Sequence, residues 1–128
     1  MFDKELVLEI LEQVINAIHR VQTRFEPIRS ADDFTNSEAG VEKLDAICMQ
    51  LIAIGESLKN LDRISENHLL PEYPEVDWKK IKGMRDIISH HYFDVDAALI
   101  YDVCANHVGK LDETIQKMIK DLRSSCPP

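Results

Sequence analysis

Aromatic side chains are scarce in this sequence, at 6% of residues, and there are only four glycines and five prolines. With so few aromatics, most of the core must come from leucine, isoleucine and valine. With so few turn formers, an all-β architecture of many short strands is excluded. No apolar run approaches the roughly 18 residues that would span a bilayer, so no membrane segment is expected. The first residues, MFDKELVLEI, carry acids where a signal peptide would carry a basic stretch. The three cysteines, Cys48, Cys104 and Cys126, are odd in number and widely spaced. They fit neither a disulfide framework nor a zinc pattern, and no metal site is expected. Reduced thiols and a cytoplasmic location are the expectation.

What is present is one domain's worth of chain, residues 1–128, rich in charge. The net charge of −8 counts against general binding of phosphate backbones. One stretch reverses that average. The run WKKIKGMRDIISHH, from Trp78 to His91, sets Lys79, Lys80, Lys82 and Arg85 against the single acid Asp86 and adds two histidines. A basic patch on an acidic protein marks where an anion could bind.

Hydrophobic periodicity predicts four helices. The first runs from about Asp3 to Phe25, with Leu6, Ile10, Val14, Ile18 and Val21 at helical spacing and Val7, Leu11 and Ile15 widening the face. Pro27 ends it. The second follows FTNSE, where Thr35 and Glu38 have capping-box spacing, and carries Leu44, Ile47, Leu51, Ile54, Leu58 and Leu61. Gly55 in its middle costs roughly 1 kcal/mol against Ala, which a close helix crossing would explain. Residues Ser65 to Asp77, with Pro71 and Pro74, read as a loop. Asp77 caps a third helix, Trp78 to about His91. A fourth runs from Asp94 or Asp96 to about Ser124, with a kink expected at Gly109 and His107 on its apolar stripe. Long amphipathic helices joined by short loops predict an all-α, up-down four-helix bundle. Helices one and two are apolar over more than one face, which predicts a homodimer.

The third helix divides into two sides. Ile81, Met84 and Ile88 cluster toward the core. Arg85 and Tyr92, seven residues apart, lie close to one line, and Asp86 and His90, four apart, share a face. A guanidinium can clamp a phosphate through paired hydrogen bonds, and an imidazole can move a proton near neutral pH. Asp86, one turn before His90, is placed to orient the ring. Arg85 and His90 are separated by about 140° around the helix. A second subunit would help to bring them together across a two-fold axis. His91 points about 100° away from His90 and is left to the surface or to packing.

The stretch PEVDWKKIKGMRDIISHHYFDVD resembles the HepT-like proteins of the HEPN superfamily. Their R-x4-H-x-Y signature falls on Arg85, His90 and Tyr92, and Asp86 fits the polar position after the arginine. Upstream, IGESLKNL resembles the family's I-G-E-A segment, with Ser57 in place of alanine; Trp78 fits as well. The resemblance covers nearly the whole chain. It implies a ribonuclease toxin that cuts RNA without metal at a dimer interface, and a partner that is an MNT-type nucleotidyltransferase antitoxin. By resemblance, Arg85 binds the scissile phosphate and His90 acts as general base or acid. Tyr92 receives AMP from ATP, which the partner uses and this chain does not hold as a cofactor. Glu56 is by default a solvated helix carboxylate; the resemblance and the cation cluster on helix three make it a candidate to pair with Arg85 or support the site. Lys79 and Lys82 are either a solvated face or phosphate contacts. Two other readings remain. One is a non-catalytic helical subunit that helps a nucleotidyltransferase hold a nucleotide or substrate; the other is a plain dimerisation protein, which leaves the polar side of helix three unexplained.

Overall fold

The computed structural model describes residues 3–90 and 96–124, with the side chain of His90 outside the description. It is 81% helical. Among the described residues there are seven α-helices: α1 Lys4–Phe25, α2 Asp32–Thr35, α3 Glu38–Ile64, α4 Trp78–Lys82, α5 Met84–His90, α6 Ala97–Asn106 and α7 Val108–Ser124. A 3-10 turn, Leu70–Glu72, precedes α4. No helix among these is long and apolar enough to cross a membrane.

The bundle forms around α3, which packs against α1, α2, α4, α5 and α6. Its buried stripe of Leu44, Ile47, Leu51, Ile54, Leu58 and Leu61 is the one that the periodicity predicts. The matching face of α1 buries Val7, Ile10, Leu11, Val14, Ile18 and Val21. Each such aliphatic side chain, fully buried, contributes about 1.5–3 kcal/mol. α1 and α7 run antiparallel: Gln22 near the end of α1 bonds Asp112 near the start of α7, and Glu12 meets Arg123 at the other end. α3 and the α4–α5 pair are also antiparallel, since Lys82 meets Asp62 and the later Arg85 meets the earlier Glu56. The all-α, up-down bundle plan therefore holds in outline.

Three local expectations are corrected, and the predicted loop is found packed. The cap of α3 is Ser37, whose Oγ accepts from Gly40 N at 3.0 Å; Thr35 instead closes the short helix α2. The predicted loop from Ser65 to Asp77 is packed, with Leu69, Leu70, Tyr73 and Val76 buried. Trp78 Nε1 donates to the Tyr73 carbonyl at 2.8 Å, and the Tyr73 hydroxyl donates to Asp121 on α7 at 2.8 Å. The third helix is interrupted at Gly83, whose ψ of −3° closes α4 through a bond from its N–H to the Lys79 carbonyl. The fourth is interrupted at His107, not at Gly109. His107 leaves helical geometry at φ −122° and places its Nε2 3.5 Å from Asp102. That polar partner, off the apolar stripe, accounts for the histidine at the break.

Gly55 fulfils its expectation. A methyl group added there would stand 2.9 Å from the Ile81 carbonyl oxygen, which is backbone of α4. Only a glycine lets α3 and α4 approach so closely, and this approach sets the distance from α3 to the following helix, α5.

Candidate active site

α5 begins one residue after Gly83 and presents its two sides as the sequence predicts. Met84 and Ile88 are buried, as is Ile81 on α4. Arg85, Asp86, Ile87 and Ser89 are exposed. The apolar residues fix the rotation of the helix, and that rotation aims Arg85 outward along the surface of α3.

There it meets Glu56. Arg85 Nη1 donates to Glu56 Oε1 at 2.9 Å, and Lys59 Nζ stands 3.3 Å from Oε2. Glu56 lies one position after Gly55, so the close crossing of α3 and α4 also brings this carboxylate within reach of α5. Lys59 in the first place, and Arg85 after it, hold the Glu56 carboxyl below the usual carboxylate range against the opposing push of desolvation. At neutral pH Glu56 is thus a carboxylate between two cations. The Arg85 side chain is 56% exposed and spends one nitrogen on Glu56. A guanidinium has five N–H donors, so a free edge remains for a phosphate.

The lysines separate. Lys82 is half-buried and tied to Asp62 of α3 through a short hydrogen bond, which spends its charge inside the protein. Lys80 lies 3.5 Å from Asp102, which also accepts from Asn106 and faces His107. Lys79 is exposed, with no ion-pair partner among the described residues. Of the two lysines singled out beside Arg85, Lys79 is open to an anion and Lys82 is a brace.

His90 is the last residue of α5, an uninterrupted helix from Met84, so the angular separation of about 140° from Arg85 applies to its backbone position. Its side chain, and Tyr92 entirely, lie outside the described residues. Asp86 is exposed one turn before His90. The sequence reading did not single out Lys59, Arg63 or Asp62. Lys59 had a local signal, the i, i+3 spacing from Glu56. Asp62 had none, since its partner Lys82 is twenty residues away. Among the described residues no three His, Cys, Asp or Glu side chains converge as a metal site.

A family model described as ribonuclease HepT-like matches residues 7–118. A protein of Methanocaldococcus jannaschii named "Putative RNase" is 33% identical over 103 residues, covering 76% of this chain and 82% of its own. A second protein of that organism, also named "Putative RNase", is 25% identical over 116 residues, covering 91% of this chain and 84% of its own. A protein of Thermococcus cleftensis named "Probable ribonuclease HepT" is 29% identical over 75 residues, covering 59% and 64%. No solved structure matches the chain. The matched span includes α3 and α5, which carry Glu56, Arg85 and His90, and the chain belongs to the HepT-like family of ribonucleases of the HEPN type.

Proposed function

We propose that this protein is the toxin of a toxin–antitoxin pair, an endoribonuclease that cuts RNA through Arg85 and His90 without a metal ion. The observation that carries the reading is the Arg85 guanidinium, held at one nitrogen by Glu56 and exposed at its remaining edge. In the proposed reaction the ribose 2′-oxygen attacks the adjacent phosphorus, and the bond from phosphorus to the 5′-oxygen breaks. His90 takes the 2′-hydroxyl proton or gives one to the leaving 5′-oxygen, and Arg85 stabilises the charge that builds on the phosphoryl oxygens. The products are a 2′,3′-cyclic phosphate and a 5′-hydroxyl.

The working form in this reading is a homodimer. Arg85 and His90 diverge by about 140° on one helix, so a single copy brings them together poorly and two facing copies can pair the Arg of one with the His of the other. The exposed apolar side chains Ile87, beside Arg85, and Met49, on α3, suit such an interface. The antitoxin is an MNT-type nucleotidyltransferase that moves AMP from ATP onto the Tyr92 hydroxyl. The phosphodiester so formed adds negative charge and bulk to the motif and blocks RNA. Asp86 orients His90, and the protein acts in the cytoplasm.

The test uses the free protein and an MNT-type nucleotidyltransferase. The free protein should cut single-stranded RNA to cyclic phosphate ends. Incubation with the partner and ATP should add AMP by intact mass and stop cleavage, and Tyr92→Phe should prevent the mass gain. No cleavage by the free protein and no mass gain would overturn the reading and favour a non-catalytic subunit of a nucleotidyltransferase.

A further inference from the structure

Beyond Glu56, the outer face of α3 continues as an open trough of about 430 Å³ lined by Glu56, Ser57, Lys59, Asn60 and Arg63. Its charge is opposite to that of the protein. The chain carries −8, yet of the residues lining the trough Lys59 and Arg63 are cations and Glu56 alone is a carboxylate. Asp62 is taken up by Lys82. Glu56 is shared between Lys59 and Arg85. Arg63 is exposed and its guanidinium rests on the neutral Asn60 side-chain oxygen, so its charge is uncompensated among the described residues.

We infer that this trough is a track for the RNA strand flanking the scissile phosphate, with Arg63 and Lys59 as positioning residues for successive phosphates. The inference rests on the nuclease reading of Arg85. Glu56 belongs to both parts: it lines the trough and bonds Arg85, so the track opens directly onto the proposed cleavage point. Lys59 and Arg63 are four residues apart on one uninterrupted helix, which places them on the same side about 6 Å apart along its axis. The polar groups between them, Ser57 and Asn60, suit a ribose and phosphate backbone. Phosphate contacts of this kind hold a strand in register and do not read its sequence. A local track also reconciles RNA as substrate with an acidic chain, because a focused patch steers what the average field repels.

The experiment measures binding of a single-stranded RNA made uncleavable by 2′-O-methylation, over a range of salt concentrations. The wild-type protein is compared with Arg63→Ala, Arg63→Lys and Lys110→Ala, the last an exposed cation on α7. Arg63→Ala should weaken binding several-fold at low salt and lower the slope of log Kd against log salt by about 0.7, the value for one phosphate contact on a single strand. Arg63→Lys, which keeps the charge, should restore most of the slope, and Lys110→Ala should match the wild type. A wild-type slope and Kd in Arg63→Ala overturn the track even if the protein cleaves RNA. So does a loss confined to binding of the nucleotidyltransferase, which would assign the trough to a protein surface. If the RNA binds with the expected slope change but the cleavable version is never cut, the track stands and the nuclease reading falls.

Discussion

Arg85 on α5 and Glu56 on α3, twenty-nine positions apart in the chain, are joined by a hydrogen bond of 2.9 Å between Nη1 and Oε1. The bond fixes a long, mobile side chain at the surface without closing all of its donors. It also ties the first turn of the helix that ends in His90 to the central helix of the bundle. Arg85 is thereby oriented before substrate arrives.

Replacing Arg85 should show what its geometry supplies. Arg85→Ala removes a donor to the developing phosphoryl charge, and kcat for RNA cleavage should fall by about 10²–10³. Arg85→Lys keeps the charge but loses the planar fork, so its loss should lie between wild type and alanine. Steady-state cleavage of a defined oligonucleotide checks both, and equal rates in all three proteins would remove Arg85 from the site.

Glu56→Gln should have a smaller effect. Solvent screens this ion pair, whose Arg85 side chain is 56% exposed, so the loss in kcat should be well below that of Arg85→Ala. The direction of the Glu56 shift fixes the pH window. Its carboxyl is held below the ordinary value of 4.5, so any stability it contributes is fully present above that value. That stability is lost only as pH falls through the lower folded-state pKa. Glu56→Gln should therefore leave the shape of the pH–rate profile near neutrality unchanged while lowering its height. Thermal melts of the two proteins should diverge at neutral pH and converge in acid.

The glycines separate two kinds of stability effect. At Gly55 an added methyl group meets the Ile81 carbonyl at 2.9 Å and backbone must move. Gly55→Ala should destabilise the fold by about 1–3 kcal/mol, despite the better helix propensity of alanine. At Gly109 the same group meets nothing within 4 Å. Gly109→Ala should stabilise by about 0.4–1 kcal/mol, mainly by restricting the unfolded chain. Urea unfolding of both variants gives the sign directly.

The buried thiols should be chemically silent in the native protein. Burial, with help from Asp45, pushes Cys48 up to about 11, and burial with help from Cys48 pushes Cys104 up to about 12. Thiolate is the reactive form and is nearly absent at such values near neutral pH. In a Cys126→Ser background, Ellman's reagent at pH 8 should titrate no thiol until denaturant is added, and two afterwards. Rapid labelling in the native state would show that one of these side chains is open to solvent.

The sequence alone determined the helices and the sides they bury. Apolar spacing within α1, α3 and the α4–α5 pair is a local property of a helix with about 3.6 residues per turn, and so the inward positions of Ile81, Met84 and Ile88 were legible before any fold was known. The R-x4-H-x-Y spacing was equally local and pointed to Arg85, His90 and Tyr92. Tertiary structure decided the breaks at Gly83 and His107, because they depend on how α4 lies against α3 and how Asp102 faces His107. It also decided which cations stay available. Lys82 is spent on Asp62, while Arg63 rests on a neutral oxygen. A charge in the sequence has no partner until the chain folds, and the pairing it finds there determines whether it braces the protein or meets an anion.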